Sequence, residues 1–421
     1  MSSVITFVFL SRHDNAYSLN PIAAAIESRF DIKEVETVFA KNLGTAETIL
    51  QEALGRRRRV IVAWSFCSID QPRAVRQLAR LKRHSSSSAV LHMAGGPHPS
   101  AEPEQTLGCG FDYVCVGEGE QSILRFIVAL QQGAGLDSVQ GIAAHSNGRP
   151  VRNGCGEPVD LDLFPPFPSR HNRFQPLEIT RGCPYACRFC QISYLFTPRF
   201  RHRSVENIRH GVQTLQDAGR RDVRFISPSS LSYGSTDRTT RLDRVGAMLE
   251  AVRNIIGNQG RIFFGTFPSE VRPEHVSHPA LRLLKRMVNN DNLLIGAQSG
   301  SDRLLRNCRR GHTVETAVAA VRLALEYGFK PQVDIIFGLP GETPDETRSS
   351  LKLAETLAGW GARIHAHTFM PFPGTPWRRK PPGELDAATQ RQLKHWALEG
   401  KVFGKWEGQM RAARLLAAAK D

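Results

Sequence analysis

The stretch Leu177-Glu-Ile-Thr-Arg-Gly-Cys-Pro-Tyr-Ala-Cys-Arg-Phe-Cys190 decides the fold of the second half of the chain. A strand-like apolar run, Leu177–Thr180, breaks at Gly182 and Pro184 into a loop that sets Cys183, Cys187 and Cys190 within eight residues. Thiolates on such an irregular loop can converge on one soft metal centre. The Cys-x3-Cys-x2-Cys spacing supplies three ligands and no fourth nearby. Structural zinc takes four protein ligands, whereas three cysteines suit a [4Fe–4S] cluster with one iron left open. Two other readings stand beside this one: zinc with His202 as a distant fourth ligand, and unliganded structural cysteines.

Downstream, apolar runs recur at Val223–Ile226, Ile262–Thr266, Leu293–Ala297, Val333–Phe337 and Arg363–Phe369, each followed by helical spacing. With the first run they make six β/α units, which predicts a (β/α)6 parallel barrel, partial or complete, over residues 176–377 with its site at the carboxyl ends of the strands. Glu384–Ala419 reads as helical and basic, so residues 378–421 are expected to form a helical carboxyl-terminal extension. Upstream, the runs Val4–Leu10, Val35–Phe39, Val60–Trp64, Val90–Ala94 and Tyr113–Val116 alternate with helix-like segments such as Pro21–Phe30 and Ala101–Gly108. That alternation predicts an α/β, doubly wound, Rossmann-like domain over residues 1–154. A ligand there belongs at the loops Ser65–Asp70, Gly95–Pro99 and Gly117–Glu120, outside the carboxyl ends of the strands. Ala144–Val151 reads as a hairpin turning at Asn147-Gly148, and the proline-rich Phe164–Pro168 marks a linker, residues 155–175. Ser85–Ser88 is the one low-complexity patch and reads as a loop.

A length of 421 residues fits two or three domains, and 55 Lys plus Arg against 40 Asp plus Glu give a net charge of +15. That charge admits acidic partners but names none; with no nucleic-acid module recognisable, none is expected to bind. Arg56–Arg59 reads as a solvated turn. At 41% hydrophobic and 23% charged residues the composition excludes wholesale disorder, and eight cysteines are too sparse for a disulfide scaffold. Val4–Leu10 follows no positive residue and runs straight into Arg12-His13-Asp14, so neither a signal peptide nor a membrane span is expected. The expectation is a cytoplasmic protein with reduced cysteines.

From Thr180 onward the chain resembles the radical S-adenosylmethionine (SAM) enzymes. The resemblance implies that the open iron is chelated by the amino and carboxylate groups of SAM, and that reductive cleavage of SAM yields a 5′-deoxyadenosyl radical that abstracts hydrogen from substrate. Phe189 matches the aromatic residue that precedes the third cysteine and packs near the adenine. Ile295-Gly-Ala-Gln-Ser-Gly-Ser-Asp302, Leu304-Leu305, Arg310-Gly-His-Thr313, Asp334-Ile-Ile-Phe-Gly-Leu-Pro-Gly-Glu-Thr343 and Pro371-Phe-Pro-Gly-Thr-Pro376 resemble the subgroup of methylthiotransferases and cobalamin-dependent methylases. They imply SAM contacts from Phe189, Gln298, Ser299, Ile336 and Gly338. Gln298 stands where the subgroup commonly has Glu, and Ser227-Pro-Ser-Ser230 where many relatives carry an acidic or Gly-rich motif. Ser229 is the substitute contact there, with a simple turn or N-cap as the competing reading.

Gly95-Gly-Pro-His-Pro-Ser100 and Gly110-Phe-Asp-Tyr-Val-Cys-Val-Gly-Glu-Gly-Glu120 are similar to the cobalamin-binding domain fused ahead of many such barrels. Small residues at strand ends let a flat corrin approach the backbone. The resemblance implies cobalamin contacts from Trp64, Ser65, Phe66, Gly95, Gly96, His98, Gly117, Glu118 and Gly119. No Asp-x-His-x-x-Gly occurs, so no protein histidine is expected on cobalt. Of the remaining cysteines, Cys109 and Cys115 fall on a helix end and a strand, against the second cluster of methylthiotransferases, and Cys308 reads as core. Taken together, the resemblance implies a cobalamin-dependent C-methyltransferase using a [4Fe–4S] cluster, SAM and cobalamin, in which one SAM methylates cob(I)alamin and a second generates the radical. Its partners would be a small-molecule or peptide substrate and an electron donor such as flavodoxin or ferredoxin. The alternatives are a radical rearrangement or cyclisation without methyl transfer, a methylthiotransferase-like enzyme, and an iron–sulfur sensor.

Overall fold

The first five apolar runs become the strands β1 (Ile5–Leu10), β2 (Val35–Ala40), β3 (Arg59–Ser65), β4 (Val90–Gly95) and β5 (Tyr113–Cys115), all parallel. Every residue of β1 and six of seven in β3 are buried, as expected where helices cover both faces of a parallel sheet. The computed structural model describes residues 4–84 and 88–418, so Ser85–Ser87 of the serine patch and Ala419 lie outside the described residues. Contact clustering gives two compact units, Met1–Gln175 and Pro176–Asp421.

In the first unit the order β2-β1-β3-β4-β5 continues into the antiparallel hairpin β6 (Ile142–Ser146) and β7 (Arg149–Arg152). Asn147 and Gly148 both have positive φ at its turn, as the sequence predicts. The helices are α1 (Ala16–Arg29), α2 (Leu43–Gly55), α3 (Gln71–His84), α4 (Pro97–Ala101), α5 (Pro103–Gly108) and α6 (Glu120–Gln132). Two differ from expectation. Helix α1 starts five residues early and carries Pro21 inside it, and the single helix expected at Ala101–Gly108 is two, because Pro103 brings no N–H to continue α4. Residues 155–175, read as a linker, are tied to this unit. Gly156 N–H donates to Val116 O at 2.8 Å, Val159 N–H to Glu118 Oε2 at 3.0 Å, and His171 Nε2 lies 2.8 Å from Thr37 Oγ1.

In the second unit, β8 (Leu177–Glu178) enters the cysteine loop through β9 (Thr180–Arg181), which pairs with β10 (Arg201–His202). Helix α7 (Ile192–Leu195) lies between them. Parallel strands β8, β11 (Asp222–Ile226) and β12 (Arg261–Phe263) form one sheet, and β13 (Asn292–Gln298), β14 (Lys330–Phe337), β15 (Arg363–Thr368) and β16 (Val402–Phe403) another. The bridges Ser227↔Ser269 and Val271↔Ile295 join them into one open barrel. The helices are α8 (Val205–Asp217), α9 (Leu242–Ile256), α10 (His278–Met287), α11 (Asp302–Asn307), α12 (Val314–Glu326), α13 (Pro344–Gly359), α14 (Ala387–Leu398) and α15 (Trp406–Ala418). All six predicted strands are present. The extension read as wholly helical is corrected: between α14 and α15 it contributes β16, a seventh parallel strand on β15. No helix among the described residues is long and apolar enough to cross a membrane.

Candidate functional site

Gly182 opens the cysteine loop at φ +78°, and a Cβ there would strike Arg199 O and sit 2.7 Å from Thr197 O. Only glycine allows that approach, which also lets Cys183 N–H reach Thr197 O at 3.3 Å. Farther round, Ala186 N–H donates to Ser193 Oγ (3.2 Å), Arg188 N–H to Cys308 O (3.0 Å) and Gln191 Nε2 to Pro373 O (2.8 Å). The loop is thus held by α7, by the end of α11 and by the Pro371–Pro376 turn.

Cys183, Phe189 and Cys190 pack against the buried cluster of Tyr185, Cys187 and Phe200. Burial, and then the neighbouring Cys187, push the Cys190 thiol up to about 12; burial also raises Cys183. Cys183 and Cys190, whose ionisation burial hinders, are relieved when cationic iron replaces their protons, and Cys187 lies in the same apolar pocket, so the donor set fits a cluster. The ring of His202 is set against the role of a fourth zinc ligand, since its Nδ1 lies 2.9 Å from Thr180 Oγ1 and its Nε2 2.7 Å from Ser235 O.

Phe189 joins residues of separate motifs. Its ring packs both with the cysteines and with a second cluster containing Leu304, Cys308, Leu339, Trp377 and Ile336. Cys308 is fully buried in that cluster, and its thiol is pushed up to about 12 by burial. Gln298 ends β13 at φ +73°, at a register shift between Gly296 and Gln298. A bulged strand end with a non-glycine residue in the left-handed region is the kind of strain that marks a working position. Ser299, also buried, accepts from Ser301 N–H (3.1 Å) and meets Ser350 Oγ at 3.5 Å, so its hydroxyl serves the turn into α11. Gly338 N–H donates to Glu342, and Ser229 Oγ accepts from Ser232 Oγ at 2.9 Å and lies 3.5 Å from His275 Nδ1. Phe189, Gln298 and Ile336 are therefore side chains with faces to offer, whereas Ser229 and Ser299 have theirs taken up in local turns.

Two residues were missed by sequence reasoning. Arg310 is buried, with Nη2 3.1 Å from Glu270 Oε1 and 3.0 Å from Gly296 O, and Nη1 3.8 Å from Cys187 Sγ. A Cβ on Gly296 would touch Arg310, Gln298 Nε2 (2.7 Å) and Glu270 Oε2 (2.9 Å). A carboxylate, a guanidinium and an amide thus meet beside the cysteine loop. The charge-rich Glu270-Val-Arg-Pro-Glu274, in the segment that follows β12, was the available signal. Arg272 underlies it, 3.5 Å above the Tyr185 ring and 2.6 Å from Glu274 Oε1.

In the first unit the strand order reverses between β1 and β3, the switch point at which doubly wound sheets bind ligands. A cleft of about 100 Å³ lies there, lined by Arg12, Asn15, Trp64, Ser65, Phe66 and Asp70 among others. Gly96, at φ +93°, has no room for a Cβ, which would sit 2.6 Å from Ser65 Oγ, so this glycine brings β4 against that edge. Gly95 sits beside it without such crowding. His98 is buried with Nδ1 3.0 Å from Ser68 Oγ. Gly117, Glu118 and Gly119 lie elsewhere: Gly117 faces Gly156, Glu118 holds Val159, and Gly119 abuts Ile22. The cleft gathers Trp64, Ser65 and Phe66 but not that loop.

Fold and site define a chain that carries a radical SAM domain preceded by a B12-binding domain. Residues 177–354 match the radical SAM superfamily and residues 16–127 the B12 binding domain. These domains imply a [4Fe–4S] cluster, SAM and cobalamin as cofactors. Among relatives, an uncharacterized methyltransferase of Pyrococcus horikoshii is 27% identical over 316 residues, covering 71% of this chain and 64% of that protein. A tRNA-2-methylthio-N(6)-dimethylallyladenosine synthase of Pelobacter propionicus is 30% identical over 227 residues, 51% of this chain and 47% of that protein. The chain thus spans less than two thirds of the length of either. The structure of the radical SAM methyltransferase TsrM from Kitasatospora setae, with cobalamin and a [4Fe–4S] cluster bound, shares the fold at a TM-score of 0.71, 17% identity, over 90% of this chain and 77% of that one.

Proposed function

We propose that the chain methylates an unactivated carbon of a small-molecule or peptide substrate by cobalamin-dependent radical SAM chemistry. The observation that carries the reading is the meeting of Glu270, Gln298 and Arg310 beside a three-cysteine loop whose Phe189 bridges to Ile336. When bound, the cluster supplies the electron that cleaves SAM and cobalamin supplies the methyl carrier. The chain's own residues then have separable tasks. Cys183, Cys187 and Cys190 hold iron and leave one site open. Phe189 offers an apolar face to the adenine, and Gln298 offers an amide to the ribose. Arg310, fixed by Glu270 and Gly296 O, places positive charge by the Cys187 sulfur. The apolar wall of Leu304, Leu339, Phe369 and Trp377 keeps water from a reactive intermediate. In the first unit, Trp64, Ser65 and Phe66 would meet the corrin at the switch-point cleft, with no histidine on cobalt.

The methylthiotransferase reading draws on relatives of that name, yet Cys115 is buried in β5 with its thiol pushed up to about 12 and Cys109 caps α5. The test is anaerobic turnover with methyl-labelled SAM, an electron donor such as flavodoxin and a candidate metabolite pool. 5′-Deoxyadenosine and a labelled carbon–methyl product are expected. Zinc as sole metal, or no 5′-deoxyadenosine with any substrate, overturns the assignment.

A further inference from the structure

Strands β14 and β15 carry a second polar cluster. The register pairs Gly296 with Asp334, Asp334 with His365, and Ile336 with His367. Partners and alternate residues share a face of a sheet, so Asp334, His365 and His367 lie on the same wall as Ile336, whose side chain packs against the same apolar cluster as Phe189. Asp334 Oδ1 is 2.8 Å from His365 Nδ1 and 3.5 Å from His367 Nε2, and the two imidazole nitrogens are 3.1 Å apart. Three such atoms at this spacing suit either a divalent cation or shared protons.

Gln409 of α15 decides between them. Its Oε1 accepts from Thr368 N–H at 2.9 Å, and a backbone N–H can only donate. The amide nitrogen must then face His367 Nδ1, 3.1 Å away, and donate to it. His367 accordingly carries its own proton on Nε2, which leaves no lone pair there for a metal. Burial alone would push the Asp334 carboxyl up, but hydrogen bonds from His365 and His367 outweigh it and hold the group below its ordinary value, as a carboxylate. His365 therefore donates from Nδ1. Phe403 of β16 stacks on its ring, with centroids 4.5 Å apart and planes within 2°, and fixes its direction. What is left is the lone pair on His365 Nε2, without a partner among the described residues, backed by a buried carboxylate that no Lys or Arg among them pairs with.

We propose that this triad is a substrate-positioning site in which His365 Nε2 accepts a hydrogen bond from an N–H or O–H of the substrate, an amine or a hydroxyl, on the barrel wall. The inference rests on the reading that substrate enters this barrel. It assigns a chemical class of substrate, and it gives the carboxyl-terminal extension a purpose, since Phe403 and Gln409 orient the two rings.

The experiment is nitrogen NMR of ¹⁵N-histidine-labelled, cluster-reconstituted full-length protein with SAM, assigned with His365→Gln and His367→Gln. Expected are a lone-pair signal from His365 Nε2 and from His367 Nδ1, and an exchange of the His365 pattern in Asp334→Asn, whose amide can donate to Nδ1. Butylammonium or butanol should shift the His365 Nε2 signal, the first if the carboxylate's charge governs and the second if the lone pair alone suffices, whereas butyrate should not. A proton on His365 Nε2 in the unmodified protein, no shift with either donor, a shift with butyrate, or stoichiometric zinc on both rings would overturn the proposal. Iron content and 5′-deoxyadenosine formation in the same unmodified sample report separately on the radical SAM reading, so the two can fail independently.

Discussion

Gly182 occupies a place where no side chain fits, between β9 and the carbonyls of Thr197 and Arg199. Gly182→Ala forces either a left-handed alanine or displacement of those carbonyls, at about 3 kcal/mol for the two effects together. Because the cysteine loop hangs from this glycine, iron per chain after anaerobic reconstitution should fall by more than half, with a lower thermal midpoint in the metal-free protein. Glu342 gives a second prediction, in pH. Burial pushes its carboxyl up from 4.5 to about 7, against backbone donors at Gly338 and Leu339, and its Oε1 is buried with no partner. A raised value means that the folded chain binds the proton more tightly than the unfolded one. The stability is therefore full below about pH 4.5 and is lost as pH rises to about 7, on the order of 2 kcal/mol after discounting for partial exposure. Glu342→Gln should remove this slope and be the more stable protein at pH 8 in urea unfolding. At this scale the cysteines were legible from their spacing and Phe189 from the family resemblance. The sequence placed Arg310 in a motif but could not pair it with Glu270, 40 residues earlier in the chain, because their meeting at Gly296 depends on the folded arrangement.

Among the elements, what repeated regularly was readable. Six barrel strands and five sheet strands show as apolar runs, and Asn147-Gly148 marks its own hairpin. Strand β16 escaped because two residues carry no periodicity and stand between two helical stretches; only pairing with β15 makes them a strand. The segment 155–175 escaped for a related reason. Its prolines signal irregular backbone, and nothing local says that backbone groups are satisfied by Val116 and Glu118, or that the His171 ring reaches Thr37. Glu118 tests this. Replacing it by Ala removes the carboxylate that accepts from the buried Val159 N–H, a cost of about 1–3 kcal/mol. Hydrogen exchange should accelerate across residues 156–163 while β1 and β3 stay protected. Should cobalamin affinity instead drop with no change in exchange, Glu118 would be a corrin contact and not a strap anchor.

For the molecule as a whole, the first unit has the means to fold by itself. Each face of its sheet has its own core: Val8, Val60, Trp64, Leu78, Phe111 and Val114 on one, and Phe7, Phe9, Ile26, Ile61, Phe126 and Ile142 on the other. All of these lie before Gln175, the last residue of the unit. A chain of that length buries enough surface to be stable without help, provided that the segment 155–175 is kept, since it satisfies backbone groups at the end of β5. We expect residues 1–175 to unfold cooperatively in urea and residues 1–154 to be less stable by several kcal/mol, because the Val159–Glu118 and Gly156–Val116 hydrogen bonds go with the missing segment. The longer fragment should also bind cobalamin, and the electron paramagnetic resonance of its cob(II)alamin form should show no nitrogen splitting that disappears on replacing His13, His92 or His98. His92 is set against that role by its surroundings: it is buried, its value is lowered to about 4 chiefly by that burial, and its Nδ1 faces Trp64 Nε1 at 3.4 Å. Splitting that one of these replacements abolishes would place a histidine on cobalt. Gly96→Trp, in the same fragment, should block the corrin, because the position at the cleft edge has no space even for a Cβ.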